Sequence, residues 1–142
     1  MKCVLRVYGK VFDVDQFLTD SPWHPNPIHR RGEERRLGKR RLEPHKQSGF
    51  VIRIPGSDTP GEVFADQASA VLAFLGENQA EFLRLSAFPG VETCTLDFAV
   101  PLYEHQPMRS NHMPIELVRA AAALSIALEV TVYACSSEAK TE

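Results

Sequence analysis

A short basic segment of the chain concentrates the side chains best suited to bind anions. From His29 to Arg41 the sequence is HRRGEERRLGKRR, which holds seven of the sixteen lysines and arginines in thirteen positions. Guanidinium groups bind a carboxylate or a phosphate through two parallel hydrogen bonds, and this geometry suits an acidic protein partner. The arginines that we predict to bind such a partner are Arg30, Arg31, Arg35 and Arg36.

The positive charge of this region is local. Residues 30–46 carry eight basic and three acidic side chains, a net charge of +5, whereas the rest of the chain carries eight basic and fifteen acidic ones, a net charge of −7. Nucleic-acid binding through residues 30–46 is an alternative hypothesis. We disfavour it because Glu33 and Glu34 interrupt the basic run and the acidic remainder would repel a polyanion. Residues 29–41 also include no Phe, Tyr or Trp that would stack on bases.

The single tryptophan lies just before the basic segment. Trp23 stands in SPWHPNP, where three prolines prevent a helix and hold the chain extended. Its side chain either closes one end of the core or anchors a partner, as tryptophans do at the centres of interfaces. Both interpretations stay open, and Trp23 is included among the candidate binding residues.

The sequence predicts no metal site and no cofactor. None of the five histidines has the four-residue spacing of a helical zinc motif, and no glycine-rich phosphate-binding loop occurs. Cys3 and Cys94 fall within the apolar sets of two strands, which favours core packing for both. Cys135 is expected to be the accessible thiol, but no histidine is placed to activate it. We therefore assign no catalytic residue and expect a protein that is not an enzyme.

Strand and helix patterns alternate along the chain. Strand patterns occur in CVLRVYG, SGFVIRIPG, VETCTLDFAV and IALEVTVYA, each with apolar side chains at alternate positions. Asp13 is predicted to cap the short helix VDQFLTD, and apolar residues three and four apart predict a long helix over 62–87. Pro114 suits the first position of a last short helix, IELVRAAAAL.

This order of elements predicts one α+β domain over residues 1–142, with a frayed tail at 136–142. Residues 30–46 are predicted to form a basic connection, ordered in HRRGE at a strand edge and mobile in ERRLGKRR. The simplest arrangement is ferredoxin-like, a mostly antiparallel sheet of four or five strands with the helices on one face. The inward side chains of the last strand are predicted to be Leu128, Val130 and Val132.

The opposite face of this sheet carries mixed charges and phenols. A small-ligand or enzymatic site there is a third hypothesis, because facing charges and hydroxyl groups can hold a polar molecule. The residues assigned to this open face are Arg6, Tyr8, Asp97, Glu129 and Tyr133.

No segment predicts membrane insertion or secretion. The longest stretch without a charged residue has ten residues, against roughly 20 needed to cross a bilayer. Arg6 interrupts the short apolar run at the start of the sequence, so that run is not the core of a signal peptide. Three cysteines without a CxxC pair predict reduced thiols, and we expect a cytoplasmic protein without a membrane partner.

Several local patterns are spread over nearly the whole chain. They are an opening strand that ends in Gly9, the segment FDVDQFLTDSP, the Arg-Gly-Glu of residues 31–33, a helix of the AVLAFL kind and the final PIELVRAAAALSIALEVTVY. Together they resemble an uncharacterised bacterial family, the domain of unknown function 4279. The resemblance supports the α+β fold, implies no activity and transfers no catalytic residue.

These observations favour a non-enzymatic module that binds another protein, of the interaction or immunity type. The separation of basic and acidic regions supports this prediction, because such asymmetry speeds and orients protein encounter. A homodimer formed through the exposed sheet surface or an edge strand is also compatible with the predicted fold.

Overall fold

A computed structural model describes residues 2–58 and 64–136 of the chain. The described strands are β1 (Val4–Gly9), β2 (Ile28–His29), β3 (Arg35–Leu37), β4 (Arg40–Leu42), β5 (Ser48–Arg53), β6 (Thr93–Tyr103) and β7 (Ala127–Cys135). The described helices are α1 (Val14–Thr19), α2 (Phe64–Glu77), α3 (Gln79–Ser86) and α4 (Ile115–Ala123).

Five of the strands form one sheet in the order β2-β5-β1-β6-β7. All neighbouring pairs are antiparallel except β6 and β7, which are parallel and are connected through α4. The predicted α+β class with a mostly antiparallel sheet of four or five strands is confirmed, since the sheet has five strands, whereas the ferredoxin-like topology is not confirmed. Strands β3 and β4 form a separate two-stranded sheet.

One hydrophobic core joins the inward face of the sheet to all four helices. Alternation in β1 buries Leu5 and Val7 completely, and Val7 lies between Phe50 of β5 and Cys94 of β6 in the sheet register. The alternating apolar side chains predicted for these three strands therefore pack in the core. Asp13 caps α1 as predicted, because its carboxylate accepts a hydrogen bond of 3.1 Å from the Gln16 amide.

Trp23 lies inside an aromatic cluster of this core. Only 8% of its surface is exposed, and its ring contacts four phenylalanine rings at centroid distances of 5.1–6.2 Å. The indole Nε1 donates a hydrogen bond of 3.0 Å to Asn78 Oδ1, so the polar atom of the buried ring is satisfied. The phenylalanines of the cluster are Phe17, Phe50, Phe74 and Phe82.

The long helix predicted over 62–87 is two helices, separated at Asn78. This residue leaves helical geometry, with φ −114° and ψ 23°, and its Nδ2 donates a hydrogen bond of 3.0 Å to the Phe74 carbonyl. Asparagine side chains compete with the helix for backbone hydrogen bonds. Here the Oδ1 atom of the same side-chain amide accepts the hydrogen bond from Trp23 Nε1. The first two residues of the predicted helix lie outside the described residues.

Three further predictions need correction or fall outside the described chain. Residues 35–42, most of which belong to the segment ERRLGKRR that is predicted to be mobile, form an exposed hairpin, β3–β4. Pro114 is the N-cap of α4 and not its first helical residue, since its carbonyl accepts hydrogen bonds from the amides of Leu117 and Val118, the third and fourth residues of the helix. Most of the predicted frayed tail, residues 137–142, lies outside the described residues.

The exposure of two valines in β7 also departs from the prediction. Val130 and Val132 share the core-facing register of Leu128, but 41% and 57% of their surfaces are exposed. The reason is position, because β7 is the last strand of the sheet and its outer half has no neighbour among the described residues.

We predict that Asn78→Ala lowers the free energy of unfolding by about 1–3 kcal/mol, because the buried Trp23 Nε1 loses its acceptor. Urea unfolding followed by circular dichroism measures this change, and Gln79→Ala, at an exposed neighbouring position, serves as the control. In the double variant with Trp23→Phe, the loss should be smaller than the sum of the two single losses. Additive losses would contradict the proposed coupling.

Candidate functional site

Three residues in neighbouring strands form a row across one end of the sheet. Gly49 of β5 lies opposite Tyr8 of β1 on one side and opposite His29 of β2 on the other. A side chain at position 49 would overlap the Val7 carbonyl oxygen and the Tyr8 ring. Because glycine leaves this space open, the rings of Tyr8 and His29 meet across it with centroids 5.9 Å apart, and Tyr8 Oη lies 3.2 Å from His29 Nδ1.

A second histidine extends this row into a stack. The rings of His29 and His45 lie 4.1 Å apart with an interplanar angle of 16°. The backbone carbonyl of His45 accepts a hydrogen bond of 2.8 Å from the Gly32 amide, and this bond holds the loop that carries His45. Gly32 has a φ of +81°, a conformation that favours glycine and explains the glycine of the HRRGE motif.

Basic side chains surround the stack on the protein surface. A cleft of about 480 Å³ is lined by Tyr8, Lys10, His29, Arg35, His45, Lys46 and Gln47. A neighbouring cleft of about 680 Å³ shares Lys10, His45 and Lys46 with it and adds Arg31, Gly32, Glu43 and Pro44. We call the combined surface the basic cleft and define it by Tyr8, Lys10, His29, Arg31, Arg35, His45 and Lys46.

The charge of the basic cleft is only partly neutralised. Lys46 lies 3.9 Å from Glu43, and the Arg31 guanidinium donates to the Lys10 carbonyl at 3.2 Å. Within the described residues, Lys10 and Arg35 have no carboxylate within 4 Å. A carboxylate or phosphate that entered the cleft would therefore meet cations that lack a close anionic partner.

The two rings at the base of the cleft have shifted pKa values. Burial lowers the pKa of His29 below its ordinary 6.5, and the nearby His45 and Arg35 lower it further, whereas Glu33 acts in the opposite direction. Burial also raises the pKa of the Tyr8 phenol. Both groups are therefore favoured in their neutral forms, in which the phenol can donate its hydrogen bond to the His29 ring.

Two of the four predicted arginines are paired within the chain and do not line the cleft. Arg30 donates hydrogen bonds of 2.8–3.2 Å to the Asp15 carboxylate from Nε and Nη2. This pair holds the pKa of the Asp15 carboxyl below its usual range. Arg36 contacts Glu34 at 3.0 Å, and Arg41 contacts the same carboxylate at 3.1 Å. Arg31 and Arg35 are the predicted arginines that the fold brings to the cleft.

Trp23 is not part of this surface. Its ring is buried in the aromatic cluster, so we leave it out of the proposed contact residues. Three cleft residues are not among those predicted from the sequence: Lys10, which follows β1, and His45 and Lys46, which lie in the loop before β5. A signal for His45 and Lys46 was their place within the +5 segment, but nothing in the sequence indicated their approach to Lys10.

The open sheet face contains a compact polar group. Arg6 Nη1 lies 2.6 Å from Asp97 Oδ2, and the Thr131 hydroxyl donates to Asp97 Oδ1 at 2.7 Å. Asp97 is only 3% exposed, so this predicted outward residue is buried beneath its partners. Glu129 lies beside Asp97 in the β6–β7 register, and Tyr133 lies farther along β7 opposite Pro101. Of the predicted open-face residues, Tyr8 is the one that reaches the basic cleft.

The three thiols differ in their surroundings. Burial raises the pKa of Cys3 far above its ordinary value and raises the pKa of Cys94 to about 12. Cys135 is half-buried at the end of β7. Within residues 2–58 and 64–136, no group of three or more His, Cys, Asp or Glu side chains is arranged to hold a metal ion.

The fold and the site together define an α+β protein with a basic cleft where three strands end beside a histidine stack. The chain belongs to the family described as Domain of unknown function (DUF4279), whose model matches residues 1–135. This match confirms the resemblance found in the sequence. No curated protein and no solved structure matches the chain. In the described part of the chain, no helix combines the length and the apolar character that a membrane span requires.

We predict that Gly49→Ala lowers the free energy of unfolding by about 1–3 kcal/mol or more, because the added methyl group overlaps the Val7 carbonyl oxygen and the Tyr8 ring. Gly76→Ala in α2 is the matched control, since nothing lies within 4 Å of the added Cβ there. The control should gain about 0.5–1 kcal/mol from helix propensity. Urea unfolding compares the two, and an unchanged Gly49→Ala protein would contradict the packing described for this row.

A second prediction concerns pH. Because the pKa of His29 is lowered in the folded state, the unfolded chain binds more protons below about pH 6.5. The free energy of unfolding should therefore fall as the pH drops from 7.5 to 5.5. In His29→Gln this fall should be smaller, whereas His112→Gln, at an exposed loop position, should behave as the unmodified protein. Equal pH slopes for all three proteins, measured by urea unfolding, would show that burial of His29 has no such effect.

Proposed function

We propose that this protein is a non-enzymatic binding module whose basic cleft receives an acidic segment of another protein. The observation that carries the proposal is the convergence of four cations from separate parts of the chain around one groove. These cations are Lys10, Arg31, Arg35 and Lys46. An immunity-type protein, which binds one partner, is a specific form of this function.

The chemistry of the cleft suits carboxylates. Arg35 can offer a planar fork to one carboxylate, and Lys10 and Lys46 add compact positive charges that tolerate several geometries. All three side chains belong to exposed residues, so an extended segment can reach them without entering the core. Arg30 and Arg36, which lie outside the cleft, are paired with Asp15 and Glu34 within the chain.

A protein partner fits the surface better than a nucleic acid does. His45 covers one face of the His29 ring at a centroid distance of 4.1 Å, so that face cannot stack on a base. The net charge of −7 outside residues 30–46 would also repel a long polyanion. A short acidic segment of a folded protein can contact the cleft alone, so it avoids repulsion by the acidic remainder of the chain.

We propose that the protein acts in a reducing compartment such as the cytoplasm. All three cysteines are free thiols, and Cys3 is packed in the core. Free thiols of this kind persist where glutathione and thioredoxin keep them reduced.

The proposal predicts that a fluorescent deca-glutamate peptide binds the protein at low salt. Lys10→Glu combined with Arg35→Glu should weaken this binding at least about tenfold, because each lost charge-assisted contact is worth roughly 1.5–3 kcal/mol. The matched control, Lys39→Glu with Arg119→Glu, changes the net charge equally at two exposed positions outside the cleft. Fluorescence anisotropy measures all three proteins.

Two results would contradict the proposal. Equal weakening in the control would mean that only net charge matters, and no binding to deca-glutamate at low salt would remove the acidic-segment hypothesis. A twenty-nucleotide oligothymidine that bound more tightly than the peptide in the same buffer would support the nucleic-acid alternative. If deca-glutamate binds as predicted, the unmodified chain should capture its partner from the native lysate. The variant with Lys10→Glu and Arg35→Glu should not capture it.

A further inference from the structure

The two edges of the five-stranded sheet are very different. At one edge, β2 has two residues, and such a short strand offers few unpaired backbone groups to another chain. At the other edge, β7 has nine residues. Among residues 2–58 and 64–136, no strand pairs with the side of β7 that faces away from β6.

Strand β7 lacks the features that commonly protect an edge. Its sequence, ALEVTVYAC, contains no proline and no lysine, and Glu129 is its only charged residue. Val130, Val132 and Tyr133 are 41%, 57% and 45% exposed. A long edge with exposed apolar side chains is typical of a strand that pairs with another chain.

We propose that a second copy of this chain pairs with β7 in antiparallel orientation, about a two-fold axis at Thr131. In this register Val130 of one copy lies opposite Val132 of the other, and Thr131 lies opposite Thr131. The Val130–Val132 pairs are apolar and β-branched on both sides, which suits packing across antiparallel strands. Glu129 lies opposite Tyr133, whose hydroxyl can donate to the carboxylate, so no like charges oppose each other.

The charge pattern and the length of β7 select this register over its neighbours. A two-fold axis at Glu129 would place two carboxylates directly opposite each other, which is destabilising. An axis at Tyr133 would leave the first four residues of β7 unpaired. The axis at Thr131 pairs all nine residues, from Ala127 to Cys135, and such a self-complementary contact is the usual form of a symmetric dimer.

This dimer would leave the proposed binding surface free. Each basic cleft lies beside β2, at the far edge of its own sheet, so a ten-stranded sheet would carry one cleft toward each end. With strands about 4.8 Å apart, the two outer strands would be separated by roughly 40 Å. A partner with two acidic segments could then bind both clefts with increased avidity.

Sedimentation velocity of the full chain over a range of concentrations tests the dimer. The unmodified protein should sediment as a dimer at high concentration, and Val132→Lys should remain monomeric because two lysines would enter the paired edge. Ile115→Lys is the matched control, since it replaces a similarly exposed apolar side chain on α4 and should leave the dimer intact. A monomer at every concentration, or a dimer that persists in Val132→Lys, would overturn the proposal.

A cysteine pair tests the register without relying on the stability of Val132→Lys. In the proposed dimer, Ala127→Cys lies opposite Cys135 of the second copy, where antiparallel Cα atoms are about 4.5–5.5 Å apart, within the range of a disulfide. The same two positions within one chain are roughly 26 Å apart along the strand and cannot be bridged.

Oxidation of Ala127→Cys with copper–phenanthroline should therefore give a covalent dimer on a non-reducing gel. The additional change Cys135→Ser should abolish this dimer. Absence of the covalent dimer, or its persistence after Cys135→Ser, would overturn the proposed register. The Val132→Lys monomer should still bind deca-glutamate, because that binding depends on the basic cleft alone. Failure of the dimer proposal can therefore be distinguished from failure of the proposed binding function.

Discussion

The candidate site depends on the absence of a side chain at Gly49. Strands β2, β5 and β1 bring His29, Gly49 and Tyr8 into one row, and only glycine lets the outer two rings meet across the middle strand. The hydrogen bond between these rings links the edge strand β2 to β1, and His45 packs against the His29 ring from the loop before β5. The cations of the basic cleft surround these stacked rings.

Internal ion pairs decide which charges are available to a partner. Arg30 and Arg36 lie in the most basic part of the sequence, yet Asp15 and Glu34 bind them within the chain. Arg6 is engaged in the same way by the buried Asp97 on the open sheet face. Within the cleft, the attraction for an anion comes from side chains such as Arg35 that have no carboxylate partner within the described residues.

The local parts of this structure were predictable from the sequence, whereas the parts that depend on strand register were not. Alternation predicted the buried face of β1, and Asp13 predicted the start of α1. At the break, Asn78 combines a local hydrogen bond to the Phe74 carbonyl with one from Trp23, fifty-five residues away, and the periodicity of the sequence shows neither. Lys10 and His45 were missed as neighbours, since only the pairing of β1 with β5 brings their segments together.

The most direct test of this account is a nuclear magnetic resonance titration of the ¹⁵N-labelled protein with deca-glutamate. If the basic cleft receives acidic segments, the largest shifts should occur at the amides of Lys10, Gly32, Arg35 and Lys46 and at the ring of His45. The amides of α4, on a different part of the fold, should remain unchanged. Shifts spread evenly over the basic residues of the whole surface, or confined to α4, would contradict the account.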